Sequence, residues 1–355
     1  VSVVWQVRLK NAVGKYVAVV DDWWGFSIAP YVNGLGAWAV QVNAEDPVVE
    51  QFDLDGQVEF WWRDNARGIG WSLEHEGVVR NMAYYLDSQG GLVAEISGRG
   101  YNDLLVRRII EAAAGSSGGT KSGVAETIIK AWVTAQAGSG AGARAITGLS
   151  VEADGATGDT VPMAAAYDLL YETCRAIATV GGGDFAVVGT GAAAYEFKWY
   201  EGQLGDDKTD SVVFALGNGN MASPKLTVSR ADEVNAVLVA GQGEAEKRET
   251  VWRTDAPRIA ESGINRREKF QDARQESSTA GLNALGDIAL KAGEPKRSLQ
   301  FQIQQTVGSA YGIHYGLGDL VSAEFMGDRV TKKIMGVTIT VNARGESRKV
   351  STADV

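Results

Sequence analysis

Near the C-terminal end, Leu299, Phe301 and Ile303 alternate with Gln300, Gln302 and Gln304. A period of two places the apolar set on one face of a strand. In residues 315–325, Gly316 and Gly318 bracket Leu317, and Asp319 precedes an apolar run, which reads as a tight turn feeding a second strand. Residues 333–341 end in β-branched Val337, Thr338, Ile339, Thr340 and Val341, a third strand, with Gly327-Asp328 as the hairpin turn before it. Together these predict an antiparallel meander. The N-terminal third alternates in the same way. Val3, Trp5, Val7 and Leu9 form one stripe, residues 11–14 a turn, and residues 16–20 a strand pairing back. Residues 24–28 and 37–42 flank Asn33-Gly-Leu-Gly, a hairpin signal. Residues 57–63, 71–80 and 92–97 continue the pattern.

Between these β-rich ends the period changes. Asn102 is a candidate N-cap for a helix through Leu104, Leu105, Arg108 and Ile109 that ends before Gly115. Residues 124–137 carry Ile128, Ile129, Trp132 and Val133 on one stripe, with Glu126 and Lys130 as an i,i+4 pair. Residues 167–180 and 279–291 predict two further helices, on stripes Leu170, Cys174, Ile177 and Leu282, Leu285, Ile288, Ala289. Residues 115–123 and 138–142 read as small-residue loops, and residues 149–155 as a short strand and turn. Residues 185–189 and 194–200 read as a strand pair. Residues 212–216, 224–230 and 235–241 read as strands, with a turn at 217–220 and a polar stretch before the last helix.

With 355 residues, the chain is long enough for two or three domains. Its 45% apolar and 22% charged residues are the balance of a folded soluble protein. No run approaches the ~20 apolar residues of a membrane span, and residues 1–5 lack the basic start and apolar core of a signal peptide. The formal charge of −10 argues against a general nucleic-acid binder, which needs a basic face. Cys174 stands alone, so neither an intrachain disulfide nor a thiolate cluster is possible. His75 and His314 are the only histidines.

Five local patterns offer chemistry, and each has a plainer reading. Asp53-Leu-Asp-Gly opens like a calcium loop, but Val58 stands where the loop needs Gly and Asp64 where it needs Glu, so a turn is expected. Gly98-Arg-Gly-Tyr lies between a strand and a helix yet lacks a full phosphate-binding motif. Cys174 lies on a helix's apolar stripe, the place of an inert core thiol. Trp23-Trp24 and Trp61-Trp62 put neighbouring indoles on opposite strand faces, one for the core and one for an interface or a sugar. Arg266, Arg267, Lys269 and Arg274 interleave with Glu268 and Asp272 as a solvated, salt-bridged face.

The order of motifs resembles the tail-hub proteins of tailed bacteriophages, the siphophage tail-tip family related to baseplate hubs. The residues that carry this are Trp5-Gln-Val-Arg-Leu, Val32-Asn-Gly-Leu-Gly-Ala-Trp and Ile96-Ser-Gly-Arg-Gly-Tyr-Asn-Asp. They continue with Asn220, Asn235-Ala-Val-Leu-Val-Ala-Gly, Arg267-Glu-Lys-Phe-Gln-Asp-Ala-Arg, Gly318-Asp-Leu-Val and Ile334-Met-Gly-Val-Thr-Ile. The resemblance spans nearly the whole chain. It implies a mainly β fold with an α/β insert: two tail-tube-like antiparallel barrels joined by a mixed middle domain. The first barrel would be 1–105, the middle domain 106–211 plus 244–295, and the second barrel 212–243 plus 296–355. Gly98, Gly100, Asn220, Asn235, Gly241, Gly318 and Asp319 are the family-motif structural positions, with no catalytic, metal or cofactor site. The resemblance further implies a structural virion protein at the tail tip: a homotrimer that continues the DNA channel, adapts the six-fold tube to a three-fold tip and takes part in genome delivery. Its partners would be the distal tail protein ring above, a tip or fibre protein below and the tape measure protein. Phage DNA would pass without specific binding. The rival reading is a secreted carbohydrate-binding or glycoside-hydrolysing β protein, which requires an exposed indole platform beside carboxylates ~5–9 Å apart. A second rival, the ring immediately above the hub, accounts only for the first ~110 residues, the span of one domain.

Overall fold

The computed structural model describes residues 3–111, 119–243, 248–274, 276 and 278–355, apart from the side chains at 119, 120, 162 and 164. The chain forms two compact units, Val1–Met221 with Ile303–Val355, and Ala222–Gln302. Unit 2 is thus an insertion in unit 1. Strands dominate both.

In unit 1 the N-terminal strands are β1 (Val3–Lys10), β2 (Tyr16–Val20), β3 (Trp23–Ile28), β4 (Trp38–Asn43), β5 (Gln57–Asp64), β6 (Ile69–Leu86) and β7 (Leu92–Arg99). The alternation seen in the sequence is the reason they form. Val7, Leu9, Val40, Val58, Phe60 and Ile96 all point inward and are fully or almost fully buried. β3 and β4 pair as the expected hairpin, but their loop is long: Ala29 and Ala37 exchange backbone hydrogen bonds across it, and Asn33 and Gly36 take positive φ.

The α/β part follows: α1 (Asp103–Val106), β8 (Gly119–Val124), α2 (Ala125–Gln136), β9 (Leu149–Val151), β10 (Thr160–Ala165), α3 (Leu170–Gly181), β11 (Gly183–Gly191) and β12 (Ala194–Glu201). The stripes of α2 and α3 are buried with Phe185 and Phe197 in one core. The helix expected after Asn102 is a single turn. The Asn102 side chain does not cap it, and residues 108–110 instead exchange backbone hydrogen bonds with residues 167–170. The expected loop 115–123 is a correction in part. Residues 115–118 lie outside the described residues, while Gly119–Val124 is a strand because β10 pairs along its whole length. Residues 139–144 form a short 3-10 turn.

The chain then forms β13 (Val213–Ala215), β14 (Met221–Ser229), β15 (Ala236–Ala240), β16 (Thr250–Thr254), α4 (Ala256–Ala260), β17 (Glu268–Asp272), α5 (Thr279–Ala292), β18 (Lys296–Ile303), β19 (Leu320–Phe325), β20 (Asp328–Asn342) and β21 (Gly345–Asp354). β19 and β20 make the expected hairpin, turning at Met326-Gly327 with positive φ. β18 does not join it, because it pairs with β14. The expected polar stretch holds β16, α4 and β17, whose runs are too short to show a period.

The main sheet has the order β13-β19-β20-β3-β4-β7-β6-β5-β1-β2, with β21 also on β20. β20 pairs with β3, so the two ends of the chain share one sheet. The sheet curls around an aromatic core in which Phe26 lies 5.2 Å from Trp5 and 5.3 Å from Phe60, and Phe60 lies 5.7 Å from Trp38. The curl brings β21 back toward β1: the Trp5 indole Nε1 donates to Glu346 Oε2 at 2.7 Å. Among the described residues no backbone pairing joins β21 to β1, so the expected closed barrels are corrected to an open, curled sheet with a seam. An apolar groove of about 720 Å³ runs along that seam, lined in part by Val3, Trp23 and Val341. The strands assigned to a second barrel are also dispersed. β13 and β19–β21 belong to the main sheet, β14 and β18 to a two-stranded sheet, and β15 to a third sheet.

In unit 2, β15 lies between antiparallel β16 and parallel β17. Helix α5 covers one face of this sheet, burying Val237, Val239, Leu282 and Ala289 together. The Ser278 side chain caps α5 by accepting from Gly281 N. Ile288, expected on the buried stripe, is 54% exposed.

Candidate functional site

The seven motif positions occupy places where the backbone packs closely or changes direction. A Cβ on Gly98 would lie 1.8 Å from the Val78 carbonyl oxygen and 2.9 Å from the Trp38 ring, so only glycine lets β7 pass there. Gly100 N donates to Leu35 O at 2.8 Å. Gly318, at φ +84°, leaves no room for a Cβ beside Gly205 and Leu204. Buried Asp319 accepts from Asp206 N and from Gly316 N, both at 2.7 Å, and so ties residues 204–207 to the start of β19. Asn220 accepts from Ala215 N and donates to Val213 O, closing the turn after β13. In unit 2, fully buried Asn235 accepts from Arg267 N at 2.8 Å and donates to Asn265 O. Gly241 N donates to Glu249 O. The seven do not converge on one site. Gly98 and Gly100 are neighbours, Gly318 and Asp319 form a second place, and the other three hold separate turns.

Two asparagines that the sequence reading gave other roles link the main sheet to the α/β part. Asn33 donates to Asp184 Oδ1 at 2.9 Å and accepts from Phe185 N at 2.7 Å. Asn102 donates to Gly34 O and accepts from Val187 N, both at 2.7 Å. Their side chains are satisfied across 68 to 152 residues of sequence, which no local pattern reveals. Beside them lies a cleft of about 230 Å³, lined in part by Leu35, His75, Gly100, Phe185 and Leu317. Burial pushes the His75 imidazole down to about 4, so it is neutral at ordinary pH. Its Nε2 has no hydrogen-bond partner.

The cysteine and histidine singled out in the sequence are held within their own surroundings. Cys174 is fully buried, and burial pushes its thiol up. His314 Nδ1 accepts from Ala310 N at 3.0 Å within its own loop. Among the described residues no group of three His, Cys, Asp or Glu is placed to hold a metal ion. The Asp53 segment is a turn, with Gly56 N donating to Asp53 O at 2.9 Å and Asp55 at positive φ. Gly98-Arg-Gly-Tyr is a strand-to-helix turn. No described helix is long and apolar enough to cross a membrane.

The outer face of β1, β5 and β6 is built differently. Glu59 binds Lys10 and accepts from Tyr16 OH and Trp61 Nε1, each at 2.8 Å. Burial alone would raise its carboxyl; these hydrogen bonds outweigh that and hold it below the usual carboxylate range. Above this network Arg8 lies 4.4 Å from the Trp61 ring centre, and Arg63 lies 4.8 Å from that of Trp71. Trp62, the neighbour of Trp61, is buried. The alternation separated these indoles correctly. The outward pair, Trp61 and Trp71, is stacked under guanidinium groups.

The family described as Siphovirus ReqiPepy6 Gp37-like protein matches residues 5–352. The chain belongs to that family. The resemblance to tail proteins of tailed phages carried by the sequence motifs is borne out. No curated protein is similar enough in sequence to match the chain. Among solved structures, the chain shares the fold of the 43 kDa tail protein of prophage MuSo2 from Shewanella oneidensis, at 13% identity and TM-score 0.61, covering 98% of both chains. Prophage tail protein gp18 from Listeria monocytogenes is similar at 11% identity and TM-score 0.58, with 98% of this chain and 94% of that one covered. The tail protein from Neisseria meningitidis is similar at 12% identity and TM-score 0.55, with 98% and 96% covered. These likenesses are of fold.

Proposed function

We propose that this Gp37-like family member is a structural tail-hub protein of a tailed phage. It would form a homotrimeric ring at the tail tip that continues the DNA channel and adapts a six-fold tube to a three-fold tip. The observation that carries this reading is the end-to-end likeness in fold to prophage tail proteins, with 98% of the chain covered. In this reading the curled sheet stands for the tube-like barrel, left open at the β1–β21 seam. The main sheet, which strands of residues 1–105 share with those of 213–215 and 320–354, would be the tube-like element. The ring would meet the distal tail protein above, a tip or fibre protein below and the tape measure protein. The formal charge of −10 supports a channel wall that repels DNA at short range, so that the genome passes without sticking.

Immunogold labelling of virions tests the location. The reading expects label confined to the tail tip, and deletion of the gene should give particles without a functional tip. Label along the tube or on the head, or wild-type tails from the deletion, would refute it.

A further inference from the structure

Residues 1–221 and 303–355 carry 32 Asp and Glu against 21 Lys and Arg, so unit 1 is the acidic part of the chain. Arg8 and Arg63 are exceptions within it. They lie on the outer face of β1 and β5, stacked on Trp61 and Trp71, and form no ion pair among the described residues. Arg63 Nε is buried without a hydrogen-bond partner. Trp71 is 37% exposed beside them. Two cations fixed on indoles and in no ion pair among the described residues, the nearby Glu59 carboxylate being taken up by Lys10, Tyr16 and Trp61, present a preorganised site for an anionic partner.

The same unit carries a matching surplus of acid. Between Lys15 and Arg63 the sequence contains no Lys or Arg. Within that span the β4–β5 connection presents Glu45, Glu50 and Asp53, which are exposed and form no ion pair among the described residues. Thus one surface of unit 1 has unneutralised cations and another has unneutralised carboxylates. A contact between different surfaces of identical chains is heterologous and closes into a ring when its rotation permits. We propose that the Arg8–Arg63 face receives the acidic β4–β5 connection of a second copy of this chain. The number of copies in the ring rests on the tail-hub reading; the contact itself does not.

Charge exchange tests the pairing on the full chain. Self-association is measured by light scattering over a concentration series for four proteins: wild type, Arg8→Glu with Arg63→Glu, Glu45→Arg with Glu50→Arg, and the four substitutions combined. Unchanged melting temperatures establish folding, and Arg8→Gln with Arg63→Gln serves if the reversed pair fails to fold. Each half-exchange is expected to weaken association about tenfold or more, and the combined protein to recover most of it. Association insensitive to either half-exchange, or no recovery in the combined protein, overturns the proposal while leaving a ring intact. A wild type monomeric at every concentration also overturns it; tip labelling in virions then still judges the tail-hub reading separately. If the arginine exchange instead abolishes binding to a single-stranded oligonucleotide and leaves self-association unchanged, the face is a nucleic-acid surface and the proposal falls.

Discussion

The main sheet of unit 1 and the three-stranded sheet of unit 2 both expose aromatic rings under arginines, and the two differ in how the arginines are neutralised. In unit 2, Leu238 faces both Trp252 and Phe270 across the strands, on the side α5 leaves open. Arg266 lies over Trp252 and binds Glu268 at 2.7 Å, and Arg248 lies over Phe270 and binds Asp272. Each cation therefore has its own carboxylate. In unit 1, Arg8 and Arg63 stack on Trp61 and Trp71 in the same manner and form no ion pair among the described residues. The stacking geometry alone therefore does not mark an interaction surface. The neighbouring carboxylates decide whether it is self-contained or open to a partner.

The largest effect should come from the sheet that supports the unit 1 face. Gly98→Val drives a side chain into the Val78 carbonyl oxygen, 1.8 Å from where its Cβ would lie. A loss above about 4 kcal/mol is expected, enough to leave little folded protein. Gly263→Ala in unit 2 meets nothing within 4 Å and should be silent. Equal denaturation midpoints for the two variants would contradict this contrast.

Acid should come next, and it should act on unit 1, which holds both histidines. His75 has a folded pKa of about 4 against an ordinary 6.5. Its contribution is full above about 6.5 and falls away as pH drops toward 4, because the unfolded chain takes up the proton first. That amounts to about 3 kcal/mol. Chemical denaturation at about pH 7 and about pH 4.5 should show this loss, and His75→Gln should flatten it. An unchanged slope in the variant would remove His75 from the account. Glu59→Gln, which leaves Lys10 without its countercharge, should cost up to about 3 kcal/mol at neutral pH.

The smallest change in stability should come from Asp272→Asn. Its exposed pair with Arg248 contributes about 0–1 kcal/mol. The variant nevertheless turns one end of the unit 2 face into a copy of the unit 1 arrangement. New binding of acidic peptides by Asp272→Asn, measured calorimetrically, would support the view that carboxylates decide the difference.

Strands and helices with long one-sided stripes were legible in the sequence. Val7 and Leu9 of β1, Ile128 and Trp132 of α2, and Cys174 of α3 are buried where the periods put them. Features that depend on a distant partner were not legible. Gly119–Val124 reads as a loop from its small residues and is a strand only because β10 lies beside it. Asn102 has the type and place of a helix cap, yet its side chain is used by Gly34 and Val187. β20 joining β3 brings residues 339–342 to 25–28, a pairing that neither strand's composition specifies. The motif glycines were found as positions, and their reason, backbone approach at Gly98 and Gly318, became visible only with the neighbouring chain in place. The arginine stacking on Trp61 and Trp71 was missed because the cations come from other strand positions; the signal available was Arg8 and Arg63 on the same strand faces as the outward indoles.

The measurement that tests the central claim most directly is the mass and symmetry of the purified full-length chain, by light scattering followed by electron microscopy of single particles. The tail-hub account expects three copies in a ring with a central opening. A closed assembly without a channel, or a ring of a number of copies other than three, would contradict it.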